Sequence, residues 1–323
     1  MVQVAYIVKH KDISIRRKSR SGGIFTAVSD KILADKGIVY GCAVNENHFA
    51  EHRRATTKLE RDAFLGSKYV QSDMRECFTQ VKADLEKQDI VLFSGTGCQI
   101  AGLKASLNNE YNDRLFTIDI VCHGVPSPKV WGSFLDWMES KYKGKVESVN
   151  FRDKRYGWMS HFETVVINGK RRVADYYRAI FYKHYSLRPS CYQCPYSNIE
   201  RKSDITIADA WGIDAQNADF NDDRGCSLVI LNTEKGKTIF DAVKDELEVR
   251  EVDIKQFMQP NLVKPSFRPS NREQFWIDFF EEGFEFVSQK YGDNTLKGKA
   301  ISYVKRVLGV THMTKYVKKI LKI

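Results

Sequence analysis

Hydrophobic residues recur along this chain in two rhythms. Ile24, Ala27, Val28, Ile32 and Leu33 stand three and four apart, which predicts a helix over Ile24–Ala34 that ends at Gly37. The same spacing predicts helices over Met74–Leu85, from Cys98 through Leu107, and over Val130–Lys143, where Trp131, Phe134, Leu135 and Met138 share a side. Between them lie short apolar runs: Ile38–Val44, Ile90–Phe93 and Leu115–Val121. Runs of this length, apolar at every position, suit strands buried on both faces. Val2–Val8 alternates weakly and reads as an edge strand. Strand and helix in turn predict an α/β core with a mixed, partly parallel sheet and flanking helices.

The pattern changes twice. Roughly 146–235 is turn-rich, with short strand candidates at Val146–Phe151, Phe162–Ile167, Ile205–Ala208 and Ser227–Leu231. This reads as a mixed α+β layer inserted on the core. From 271 to 323 the rhythm is helical. The expected division is a main domain over 1–270 and a helical appendage over 271–323.

Charge sharpens the picture of that appendage. The chain has 323 residues and a formal charge of +10. Eight basic residues and no acidic one fall between Lys297 and Ile323, so the rest carries only +2. The body therefore lacks the basic face that nucleic acid requires, and no nucleic-acid partner is expected. The tail, with apolar residues among its lysines, suits either packing on the body or peripheral contact with a membrane through 297–323. No run approaches the ~20 apolar residues that span a bilayer. The N-terminus has no leader pattern, and the expected location is cytoplasmic.

Seven cysteines, an odd number, argue against a disulfide framework and for thiolate chemistry. Cys191-Tyr-Gln-Cys194 is a CxxC, which alone serves a zinc half-site, a redox pair or nothing. Cys98 and Cys122 each follow a buried strand in a glycine-containing turn. Parallel sheets present ligands at that carboxyl edge. Four thiolates there suit a 4Fe-4S cluster or a structural zinc. Small core cysteines at strand ends fit equally well. Cys42 is a rival ligand, Cys226 reads as core and Cys77 as incidental.

Two glycine turns, Ser21-Gly22-Gly23 before a helix and Gly95-Thr96-Gly97 before Cys98, are shaped to cradle an anion at a helix start, or are merely tight turns. Arg16, Arg17, Lys18 and Arg20 add charge beside the first. Neither turn matches the common nucleotide-binding patterns.

Several strings in order complete the sequence picture. They are Ser21-Gly-Gly-Ile-Phe-Thr26, Gly66-Ser-Lys-Tyr-Val-Gln-Ser72, Phe93–Leu103, Asp119-Ile-Val-Cys-His-Gly-Val-Pro-Ser-Pro128, Val149–Lys154, Arg188-Pro-Ser-Cys191 and Ser203–Gly212. Across about 4–270 the chain resembles the coenzyme F420 hydrogenase/dehydrogenase beta subunit family. The resemblance implies an iron–sulfur flavoprotein oxidoreductase. Cys98, Cys122, Cys191 and Cys194 then correspond to ligands of one 4Fe-4S cluster. Ser21, Gly22, Gly23, Thr26, Lys68, Gln71, Thr96, Asp209, Trp211 and Gly212 correspond to positions around FAD.

His123, next to a cluster ligand, is a candidate proton donor, or simply a loop hydrogen-bonding group. Many relatives carry a further ferredoxin-like segment, which this chain lacks. That implies a separate ferredoxin-like or other electron donor, with a small soluble molecule as substrate. Standalone forms resemble bacterial proteins that accompany polysaccharide-synthesis enzymes. Two other classes stay open: a zinc-stabilised binding protein without catalysis, and an electron-transfer subunit with no substrate of its own.

Overall fold

The computed structural model describes residues 3–159 and 161–310. These fall into two compact units that interleave along the chain. The first takes residues up to Lys68, Ser72–His123 and Gln193–Pro265. The second takes Tyr69–Gln71, Gly124–Tyr192 and residues from Ser266 onward.

The elements of the first half are β1 (Val4–His10), α1 (Ile13–Lys18), α2 (Ile24–Ala34), β2 (Ile38–Val44), β3 (Ala50–Ala55), α3 (Lys58–Asp62), α4 (Cys77–Glu86), β4 (Val91–Thr96), α5 (Gly97–Ser106) and β5 (Leu115–Ile120). Next come α6 (Pro128–Tyr142), β6 (Val146–Asn150), β7 (Thr164–Ile167), β8 (Lys170–Val173) and α7 (Asp175–Tyr182). The chain continues with β9 (Ile205–Asp209), α8 (Ile213–Gln216), β10 (Ser227–Leu231), α9 (Glu234–Asp241), β11 (Leu247–Val252), α10 (Arg272–Lys290) and α11 (Leu296–Val310).

The first unit is built on an eight-stranded mixed sheet in the order β11-β1-β10-β9-β5-β4-β2-β3. Its centre is parallel: β2 with β4, β4 with β5, β5 with β9. Antiparallel strands close both sides. Successive side chains of these strands point to opposite faces and divide the core in two. Val39, Leu92, Ile118 and Ile205 join Ile24, Val28 and Ile32 of α2 and Phe240 of α9 on one face. Tyr40, Val91, Phe93 and Leu115 join Val81 and Leu85 of α4 and Ile100 and Leu103 of α5 on the other. Each such side chain contributes about 1.5–3 kcal/mol by leaving water, and with both faces covered the central strands read as continuous apolar runs.

The mixed, partly parallel sheet with flanking helices agrees with the sequence reading, but two local readings, of β1 and of β9 with β10, are corrected. β1 is not an edge strand, because β11, too polar to read as a strand, pairs outside it. The basic stretch after it is a helical turn, α1, capped by Asp12, whose side chain accepts from the Ser14 N–H. β9 and β10 belong to the main sheet rather than to the inserted layer.

The second unit holds a separate antiparallel sheet, β6-β7-β8, with α6, α7, α10 and α11. Its core is aromatic. The Trp131 ring lies 5.2 Å from Phe134, 4.8 Å from Phe151 and 4.8 Å from Tyr177, and Phe284 of α10 stands 5.5 Å from Phe134.

Candidate functional site

The sheet order brings several sequence motifs of the first unit to one edge. β2, β4, β5 and β9 run parallel, so their carboxyl ends lie together. β1 is antiparallel to β10 and β10 to β9, so β1 also ends there and β10 begins there. That edge therefore carries the Ser21–Gly23 turn, Cys42, Thr96–Cys98, Cys122-His123 and Asp209–Gly212.

The Ser21–Gly23 turn is clamped onto the sheet. The His10 N–H donates to Gly22 O at 2.7 Å, the Gly22 N–H donates to Ser227 Oγ at 2.8 Å, and Ser21 Oγ donates to Cys226 O at 2.6 Å. A Cβ at Gly22 would collide with Val8 O and stand 2.7 Å from Ser227 N, so close backbone approach requires the glycine. Gly23 opens α2 in the left-handed region, at φ 92°. Thr26 is buried, its hydroxyl 3.4 Å from that of Ser19.

The basic run beside this turn is partly committed. Arg16 makes a bidentate pair with Asp222, at 2.6 and 2.5 Å, and Arg20 lies 3.6 Å from Asp209. Gln259 Nε2 donates to Asp209 O at 2.7 Å. The Trp211 N–H returns to the same carbonyl at 2.9 Å, and Gly212 starts α8 at φ 89°.

At the end of β4 the Thr96 N–H donates to Gln99 Oε1 at 2.9 Å, and Gln99 Nε2 donates to Ser72 Oγ at 2.9 Å. Thr96 Oγ1 lies 3.1 Å from Cys98 Sγ. Cys98 is exposed in the first turn of α5, where the helix end favours negative charge. His123 follows Cys122, and its Nδ1 sits 3.2 Å from Asn261 Oδ1.

Beneath this edge Cys42 pairs in register with His52 across β2 and β3. His52 Nε2 lies 3.2 Å from Ser94 O, and burial pulls its pKa down to about 4, so the ring is neutral. Lys68 donates to Ala63 O at 3.1 Å and Leu65 O at 3.0 Å. Burial pulls its ammonium down to about 8, against the attraction of Cys42. The Cys42 thiol is pushed up by burial, partly offset by Lys68.

The cysteines separate into two kinds. Cys77 and Cys226 are buried and burial pushes both thiols up to about 12, which makes them core residues. Cys98 is exposed, and Cys122, Cys191 and Cys194 are half-buried and free of disulfides.

In the second unit Cys191 lies in the helical turn Pro189–Gln193, and its Sγ accepts from the Val125 N–H at 3.5 Å. The strand-like segment Gly124–Pro126 pairs with Leu187–Cys191, through the Pro126–Leu187 bridge and the Arg188 N–H to Val125 O bond of 2.9 Å. Gln71 is tied to this segment, its N–H donating to Pro126 O at 3.0 Å.

In the first unit Arg201 clasps the chain after Cys194. Its guanidinium donates to Tyr196 O at 2.5 Å and Asn198 O at 3.3 Å, and also to Asp119 Oδ2 at 2.5 Å and Ile120 O at 3.2 Å. A Cβ at Gly97 would stand 3.0 Å from Tyr196 Cβ, 3.3 Å from Asp119 Oδ2 and 3.4 Å from that guanidinium. One ion pair thus touches the segments that carry Cys98, Cys122 and Cys194. Sequence reasoning passed over Arg201 because it sits in a polar loop with no periodicity.

Among the described residues no group of three or more His, Cys, Asp and Glu is set as a metal site. As a donor set the four thiols match cluster ligation by type: none is in a disulfide, Cys98 is exposed and the other three are half-buried, and one already accepts a backbone N–H. A separate polar hollow of about 340 Å³, lined by Glu51, His52, Arg53, Arg54, Arg75, Glu76, Cys77 and Gln80, includes none of the residues expected to bind a cofactor. Among the described residues no helix is long and apolar enough to cross a membrane.

The family model for the C-terminal part of the coenzyme F420 hydrogenase/dehydrogenase beta subunit matches residues 88–256, just over half of the chain. A chain in a structure of the F420-reducing [NiFe] hydrogenase complex from Methanosarcina barkeri shares the fold, with a TM-score of 0.55 and 19% identity over 90% of both chains. No curated protein matches. The sheet edge, the ordered motifs and the matched segment together make this chain a member of the coenzyme F420 hydrogenase/dehydrogenase beta subunit family.

Proposed function

We propose that this protein is an iron–sulfur flavoprotein oxidoreductase acting on a small soluble substrate. The observation that carries the reading is the convergence of Ser21–Gly23, Thr96–Cys98, Cys122-His123 and Asp209–Gly212 at one sheet edge. In this reading residues 1–270 form the oxidoreductase part and 271–323 an extension.

Cys98, Cys122, Cys191 and Cys194 would hold a 4Fe-4S cluster. Ser21, Gly22, Gly23, Thr26, Lys68, Gln71, Thr96, Asp209, Trp211 and Gly212 would surround FAD. When bound, the cluster carries single electrons and the flavin turns them into two-electron chemistry. The chain's own contribution is positional and electrostatic. The Ser21–Gly23 turn offers backbone to an anion at the start of α2. Lys68, with its ammonium at about 8, is poised to hold or release a proton near neutrality. His123, oriented by Asn261, would deliver a proton to the substrate.

Electrons would come from a separate ferredoxin-like or other donor. In this reading the substrate class would be glycan precursors, and the protein would be cytoplasmic, in peripheral contact with a membrane through 297–323. Anaerobic purification with iron, sulfide and flavin analysis tests the core of this reading. Four irons and one flavin per chain are expected, and a colourless protein with stoichiometric zinc would overturn it.

A further inference from the structure

Helix α11 presents its side chains in the reverse of the usual order. A surface helix ordinarily buries its apolar stripe on its own protein. Here the inward contacts are polar. The Ser302 hydroxyl donates to Asp175 Oδ2. Burial raises the Asp175 carboxyl, and Arg178, Ser302, Arg306 and Lys305 oppose that rise.

At 100° per residue, Leu296, Tyr303, Val304 and Val307 fall on the side away from Ser302. They are 88%, 62%, 55% and 45% exposed. Lys297 and Lys299 flank this face.

The neighbouring surface of the same unit has matching chemistry. Lys141 on α6 lies 4.3 Å from the Trp137 ring centre, 5.9 Å from Tyr142 and 5.8 Å from Tyr176. Desolvation lowers its ammonium, and Lys299 of α11 lowers it further, so the two cations are close. Half-buried aromatic rings beside lysines are the chemistry of a membrane interface.

We propose that α11 lies along an anionic phospholipid surface. Its Tyr303-Val304-Val307 face enters the headgroup–acyl boundary, while Lys297 and Lys299 meet the phosphates. Charge selects this occupant. From Lys297 on, the chain carries eight basic residues and no acidic one, and a second copy would set cation against cation. This inference gives the peripheral contact a face and a lipid class, and it stands without the redox reading.

The test is flotation of the full chain with vesicles of phosphatidylcholine alone and with phosphatidylglycerol added. Binding at least about tenfold stronger to the anionic vesicles, weakened by salt, is expected. A Val304→Asp/Val307→Asp double variant, changed only at exposed positions, should keep its circular dichroism and melting midpoint yet lose that binding. Equal binding of variant and wild type would overturn the proposal and leave only a charged tail. So would the absence of flotation, or self-association through this face seen by light scattering.

Discussion

Arg201 and Asp119 form an ion pair 2.5 Å apart in which neither side chain is more than 2% exposed. Desolvation raises the Asp119 carboxyl, and Arg201, Thr206 and Ser203 hold it back. Buried pairs rarely add net stability, but removing one partner strands a charge. Arg201→Met should therefore cost about 3–5 kcal/mol and loosen the loop after Cys194, whose Tyr196 and Asn198 carbonyls depend on the guanidinium. Double replacement, Asp119→Leu with Arg201→Met, should recover much of that loss in a chemical melt. If Arg201→Met alone leaves the midpoint unchanged, the clasp does not hold these segments.

The two kinds of cysteine should part under mutation. Cys98→Ser or Cys191→Ser should lower iron content while leaving the melting midpoint of the metal-free chain within about 0.5 kcal/mol of wild type, as surface changes do. Cys77→Ala or Cys226→Ala should keep the iron and cost about 1 kcal/mol or more, because both lie in closed packing. Iron quantification against melting data separates the two classes, and an iron loss in Cys226→Ala would reverse the assignment.

Much of the main sheet was legible because burial on both faces writes an apolar run: Val91-Leu-Phe93 is wholly buried. β11 was not, since Glu248, Arg250 and Glu251 give it the composition of a loop and it pairs only with β1. β8 was hidden by Lys170-Arg-Arg172, although Asn168-Gly169 before it, at φ 52° and 65°, is a strong hairpin signal. At the site, glycine turns and strand-end cysteines were visible as local strings. Pairing by distant residues, such as Arg201 with Asp119 or Arg16 with Asp222, leaves no periodic mark in the sequence.

Lys68 gives the flavin reading a pH signature. Its pKa lies near 8, below the usual 10.5, because burial disfavours the ammonium. The ammonium is therefore present below about pH 8 and lost above it. If it pairs with a phosphate of the flavin cofactor, affinity should fall by up to about tenfold between pH 7 and 9, as the charge-assisted hydrogen bond is lost. Lys68→Met should bind more weakly at pH 7 and show no such step. Flavin titration by fluorescence checks it, and a parallel pH profile in the variant would remove Lys68 from the site.

Glu163 makes the clearest stability prediction. It is 3% exposed in the second unit, and burial raises its carboxyl well above the usual 4.5. Asp175 adds to the rise, while Arg178 opposes it. Both carboxylate oxygens are buried, and the Arg178 backbone N–H also opposes the rise. The folded chain thus binds a proton that the unfolded chain releases near pH 4.5. Stability from this group is fully present below that pH and drains away as pH rises toward the folded value, at about 1.4 kcal/mol per pH unit. Glu163→Gln keeps the shape without the titration. Its denaturation midpoint should match wild type near pH 4 and exceed it increasingly at pH 6 to 8. A constant offset between the two proteins across that range would show that Glu163 is charged in the folded chain.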